Sequence, residues 1–327
     1  VRLSIVPGLL LAAGFAAIAT LLAPYAPILG APVIAIVLGV GVRNVFPIPR
    51  VFDDGIAFCG REVLQLAIIV SGFGISLVTI ARTGLGTLPV TLVTIAIALA
   101  LAPLVGRLLK VEDTPRELIG IGTAICGASA IAAVSTVIEA SEAERALAIS
   151  TIFFHNILAV LTFPALGHAM AMTQTQFGVW AGTAINDTSS VVAAGFAYGN
   201  DAGTEATIVK LTRATLILPI VGLLAIVRAR RMRGDGRPVP WKRIVPWFIL
   251  WFLVAALVNS SGVVPVDRHA AIAAVATFLI STALAAIGLH TDLRALFKTG
   301  VRPLLLGFVL WVAVALSSLA IQRVTGA

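Results

Sequence analysis

Long apolar runs separated by short polar connections set the pattern of this chain. A membrane span takes about 20 apolar residues. Eleven runs approach that length: Ser4–Leu22, Ala26–Val45, Leu64–Ala81, Leu85–Leu109, Leu118–Ile138, Arg145–Leu166, Phe177–Tyr198, Ala206–Val227, Ile244–Val258, Ala270–Leu289 and Val301–Ile321. The pattern predicts an all-α polytopic membrane protein of about eleven transmembrane helices. One membrane domain covers residues 1–327, with residues 1–138 as a first half and 139–327 as a second, and each half holds one broken helix. Between the second and third runs, Phe46–Gly60 carries Pro47, Pro49, Arg50, Asp53 and Asp54 and reads as a surface connection.

Two of the runs are polar at their centres, and they resemble each other. Gly122–Val134 and Gly182–Ala194 are identical at six of thirteen aligned positions, beginning with Gly-Thr-Ala-Ile in both. The first copy centres on Cys126, Gly127, Ala128 and Ser129, the second on Asn186, Asp187, Thr188, Ser189 and Ser190. Such residues offer the backbone hydrogen bonds that compete with a helix. In hydrocarbon an interrupted helix is tolerated where it is buried in protein or lines a wet cavity. Both runs therefore read as broken helices facing a polar cavity at mid-membrane.

A second echo pairs Gly72–Gly84 with Gly288–Gly300, sharing Gly72/Gly288, Leu77/Leu293, Thr83/Thr299 and Gly84/Gly300. Counting spans makes these two segments point in opposite directions, the sign of an inverted repeat in a secondary transporter. The same count makes the two broken runs parallel. Either one of them is re-entrant or their likeness is local convergence.

Composition sharpens the class. The chain is 59% hydrophobic and 12% charged, with a mean hydropathy of +1.05. Its net charge of +8 comes from basic residues in short loops, so it reports topology and not nucleic acid. Seven of them crowd Arg228–Arg243, which the positive-inside rule makes cytoplasmic. The Arg43/Arg50/Arg61, Arg107/Lys110/Arg116 and Arg294/Lys298/Arg302 groups then share that side. Glu139, Glu142 and Glu144 fall outside, as do Asp201 and Glu205, and the chain runs from a cytoplasmic N-terminus to an extracytoplasmic C-terminus. Two cysteines, Cys59 and Cys126, make neither a disulfide framework nor a metal site. No hydrolytic constellation or cofactor motif is present, so the sequence predicts no enzyme and no cofactor.

Few residues could carry chemistry. Asp187 stands well inside an apolar run, where an ionisable group faces a cavity or a partner. It reads either as an ion, proton or substrate-orienting site or as a helix N-cap. Lys210 and Arg213 share one helix face; they either snorkel to the interface or face the bundle, pair with Asp187 and supply positive charge to an anion. In that second reading an anionic substrate competes with Asp187 for the cation, and transport depends on pH. His155 and Asn156 read as interhelical hydrogen-bonders or, with Asp187, as a proton relay. A helix restarting near Gly127/Ser129 or Thr188–Ser190 would also attract an anion through its dipole.

These residues carry a resemblance. Ile125–Ile131, Phe154-His155-Asn156, Ala184–Gly195, Val209–Arg213, Gly288–Arg294 and Gly300–Gly307 together resemble the YeiH-type family named for sulfate export, over nearly the whole chain. Runs three to six are more distantly similar to the bile acid–sodium symporter superfamily. That likeness implies a panel domain, a core domain with crossed broken helices, and alternating access; the acidic sodium-site motifs of those symporters are matched only at Asn186 and Asp187. The expected function is a secondary transporter of a small anion, sulfate or sulfite, with membrane lipids around it, a coupling proton or sodium ion, and a homodimer as its assembly. The alternatives are a proton- or sodium-coupled symporter of a small organic anion, and an anion channel or membrane-embedded binding protein.

Overall fold

The computed structural model of the chain describes residues 3–26, 30–223, 246–293 and 300–325. It is all helical among those residues. The elements are α1 (Val6–Leu22), α2 (Gly30–Val45), α3 (Asp53–Phe58), α4 (Leu64–Gly72), α5 (Leu77–Gly86), α6 (Leu88–Leu108), α7 (Asp113–Ala124), α8 (Ala128–Val137), α9 (Glu142–Ala169), α10 (Gln174–Ala184), α11 (Thr188–Tyr198), α12 (Asn200–Thr215), α13 (Trp247–Ser260), α14 (His269–His290) and α15 (Val301–Thr325). Among the described residues seven stretches are long and apolar enough to cross a membrane, and α2, α8 and α13 are shorter apolar helices. The chain is a polytopic membrane protein. The basic loop Arg228–Arg243 and residues Arg294 and Lys298 lie outside the described residues, and with them part of the second echo.

One span differs from its hydropathy. The third run extends not over Leu64–Ala81 but over Arg50–Gly72, where a 3-10 turn, α3, a π-helical turn at Cys59–Val63 and α4 follow without interruption. The charges that suggested a surface connection sit where a helix tolerates them. Asp53 and Asp54 occupy the first turn of α3, where the dipole favours carboxylates. Arg61 and Glu62 point outward as an exposed pair at 3.5 Å. After Gly72 the chain turns, and Ser76 caps α5 by accepting from Thr79 N–H.

Two helical groups pack against each other. In the first, α14 lies along α2, α1 and α4, and α13 lies along α4. Glycines permit the close crossing: a Cβ at Gly39 would stand 2.4 Å from Ala285 O, and one at Gly288 would stand 2.4 Å from Ile36 O. Small residues let membrane helices approach backbone to backbone. The second group holds α6 to α12 and α15. Both groups draw on both halves of the sequence, and α11 joins them by packing on α2 and α14.

Within the second group, the two polar-centred runs turn back on themselves. A Cβ at Gly122 would meet Ile131 Cδ1 at 2.8 Å, a contact that a straight helix rising 1.5 Å per residue would not allow. So α8 returns along α7, and Thr114 at the start of α7 lies beside Glu144 at the start of α9. The second run does the same. Tyr198 at the end of α11 stacks on Phe177 at the start of α10, with centroids 3.9 Å apart, and its hydroxyl donates to Met172 O at 2.5 Å. Gln174 Oε1 accepts from Asp201 and Ala202 N–H. Each run is a helical hairpin, not a crossed broken helix. The first enters from the Ser141 end of α9 and the second from its Met170 end. This corrects the eleven crossings, and it places the acidic Glu139–Glu144 connection at the same end as Arg107, Lys110 and Arg116 and not opposite them.

Candidate functional site at two opposed hairpin tips

Each hairpin is built by local chemistry. A capping box of Ser141 and Glu144 starts α9, and one of Thr173 and Gln176 starts α10, fixing where each helix begins. The first hairpin turns at Ile125-Cys126-Gly127. Gly127 has φ +66° and ψ −127°, a backbone that only glycine takes without strain. The second turns at Ile185-Asn186-Asp187. Here Asp187 is the N-cap of α11, its Oδ2 accepting from Ser189 N–H at 2.9 Å and from Ser189 Oγ.

The tips meet. A Cβ at Gly127 would lie 3.5 Å from both Cα and Cβ of Asp187. Asn156, midway along α9, holds the second tip, its Oδ1 accepting from Asp187 N–H at 3.3 Å.

The repeated Gly-Thr-Ala-Ile forms the last turn of α7 and of α10, and α12 grips both. Lys210 Nζ donates to Ile125 O at 3.1 Å and to Ile185 O at 2.9 Å, the fourth residue of each copy. Arg213 donates to Thr123 O at 2.9 Å and to Thr183 O, the second residue of each copy, and its Nε donates to Ala124 O at 2.8 Å. The last carbonyls of a helix lack intrahelical partners, and the negative end of its dipole favours a cation. Lys210 and Arg213 are both 0% exposed. Removing an ion from water costs several kcal/mol, which these charge-assisted bonds offset.

The expectation for these cations is half met. They face the bundle and do not snorkel, because the apolar helical stretch that begins with α12 at Asn200 runs on to Leu223 and carries both to its middle. They do not pair with Asp187: no nitrogen of either lies within 4.0 Å of its carboxylate, and carbonyls take the bonds instead.

The remaining candidates separate by exposure. Cys126, Gly127, Asn186, Ser189 and Ser190 are buried; Ala128, Asp187 and Thr188 are half-buried; Ser129 is exposed. Asn186 has neither polar atom partnered, and Asn156 Nδ2 and Thr123 Oγ1 are unpartnered as well. His155 does not reach the tips. Its Nδ1 bonds Thr151 O at 2.8 Å, and its ring lies among Phe154, Phe308 and Trp311, so the sequence neighbours His155 and Asn156 serve different faces of α9. The carbonyl acceptors were missed in sequence, though the exact repetition of four residues before each tip marks them. Glu205, expected in an outer loop, is half-buried on α12 and accepts from Thr83 Oγ1 at 3.0 Å. Among the described residues no cluster of His, Cys, Asp and Glu could hold a metal ion.

The family model described as conserved hypothetical protein 698 matches residues 7–307. A UPF0324 membrane protein of Streptococcus agalactiae serotype V is 39% identical over 98% of each chain. One of Streptococcus pyogenes serotype M3 is 40% identical over 98% of this chain and 97% of its own, and one of Fusobacterium nucleatum is 37% identical over 93% and 94%. No solved structure matches the chain.

Proposed function

The chain belongs to the conserved hypothetical protein 698 family of bacterial membrane proteins, the YeiH-type family of the sequence resemblance, and we propose that it is a secondary transporter of a small anion such as sulfate or sulfite. The observation that carries this reading is the meeting of two half-length hairpins from opposite ends of the bundle, at Gly127 and Asp187. Helices interrupted at mid-membrane, from opposed segments, are how many transporters build a site reached alternately from each side. The charge supports an anion: two buried cations stand near a single tip carboxylate. The restarting helices α8 and α11 add the positive ends of their dipoles.

The first group of helices acts as the scaffold and the hairpin group as the moving body. The end bearing Arg107, Lys110 and Arg116 faces the cytoplasm, which leaves the C-terminus extracytoplasmic. The two hairpins, each followed by a long helix, act as the inverted repeat. Proteoliposomes loaded with unlabelled sulfite or sulfate should take up the labelled anion faster than empty ones. Flux that rises linearly with concentration and ignores the internal anion would make the protein a channel.

A further inference from the structure

The tips present donors and acceptors together, and that pattern restricts the anion. Asn156 is 1% exposed and aimed at the start of α11, with Oδ1 on Asp187 N–H and Nδ2 unpartnered. Asn186, also 1% exposed, has both Nδ2 and Oδ1 unpartnered. A buried polar group without a partner is destabilising, and two amides that bear this cost at the second tip point to a ligand that meets them. Both hydrogen bonds to the Asp187 carboxylate fall on Oδ2. The second tip therefore carries two amide N–H groups, on Asn156 and Asn186, and two oxygens that can only accept, Asn186 Oδ1 and Asp187 Oδ1.

Resting on the transporter reading above, we infer that the substrate is a singly charged oxyanion that keeps a hydrogen-bond donor of its own, the class of hydrogen sulfite, and not a dianion. The amide N–H groups and the start of α11 receive its oxygens. Its donor goes to Asn186 Oδ1 or Asp187 Oδ1, which a fully deprotonated dianion would leave facing its own lone pairs. The formal charges agree. Lys210 and Arg213 against Asp187 leave one positive charge in excess, which a monoanion neutralises and a dianion overshoots, and an uncompensated buried charge is costly.

Three size-matched tetrahedral anions separate the terms without a change of pH. Sulfamate is a monoanion with N–H donors, methanesulfonate a monoanion without one, and sulfate a dianion without one. Thermal shifts of the purified full chain should rank sulfamate first, with apparent affinity about tenfold or more above both others, the worth of one good hydrogen bond in a dry site. Sulfate ranking first or level, or methanesulfonate matching sulfamate, overturns the inference; if anion exchange in proteoliposomes persists in that case, the transporter reading survives it. No shift from any of the three overturns it as well. The variant Asn186→Leu adds a second readout. Replacing an unpartnered amide by an apolar side chain of similar size should raise the ligand-free melting temperature and remove the sulfamate shift. A lower melting temperature with the shift intact would make Asn186 a structural residue and sink the assignment, and should this variant fail to fold, the ranking of the three anions decides alone.

Discussion

Arg213 shows how a single residue holds the site. Its guanidinium spans carbonyls of both hairpins, at Thr123, Ala124 and Thr183. Replacement by Met keeps the volume but leaves three buried acceptors without donors. Each such loss costs about 1–3 kcal/mol, so Arg213→Met should destabilise the protein by about 3 kcal/mol or more, read as a lower melting temperature. Arg213→Lys should recover only part, because an ammonium lacks the planar fork; full recovery would mean that charge alone matters. Gly127 is the second such residue. A Cβ there would sit 3.3 Å from Ile152 Cγ2 at φ +66°, and backbone strain of this kind costs about 1–3 kcal/mol. Gly127→Ala should depress anion exchange by a larger factor than it depresses the melting temperature, since the strain falls where the two tips touch. Unchanged exchange would remove Gly127 from the site.

At the scale of elements, the apolar runs were legible and their directions were not. Leu118–Ile138 and Phe177–Tyr198 have the length of a span, and hydropathy is the same whether a segment crosses or turns back. What marked the turns was the polar centre of each run, Cys126-Gly127 and Asn186-Asp187, and the Gly-Thr-Ala-Ile before it. The partners of those carbonyls could not be read, because Lys210 and Arg213 lie 85–90 residues from Ile125, Ala124 and Thr123, and only the folded bundle brings them together. Arg50–Gly72 was misread for the opposite reason: five charged residues diluted its hydropathy although they occupy a helix end and an exposed face. The hairpins make a topological prediction. Single cysteines at Glu112→Cys and Ala143→Cys should be labelled by an impermeant maleimide from one side of the membrane, and Met170→Cys from the other. The two native cysteines are buried and should stay silent. Labelling of the Glu112 and Ala143 positions from opposite sides would mean that the first hairpin crosses.

The whole molecule sets a group of α1 to α4, α13 and α14, closely packed through Gly39 and Gly288, against a body in which α12 ties two hairpins to one another. Cohesion inside the body follows from the five carbonyl bonds of Lys210 and Arg213, so the hairpins should move together and not as independent gates. In the transporter proposed above, the contacts of α11 with α2 and α14 are the ones that sliding of the two groups would have to break. If the tips line a water-reached anion site at the middle of the membrane, Ser129 should report it, being exposed although it lies two residues past the first tip. In membranes, Ser129→Cys should react with a small impermeant thiol reagent added from the side of the α7 and α9 starts, and a transported anion should slow that reaction. A cysteine there that reacts only with membrane-permeant reagents, whatever anion is present, would put Ser129 against lipid and contradict the account.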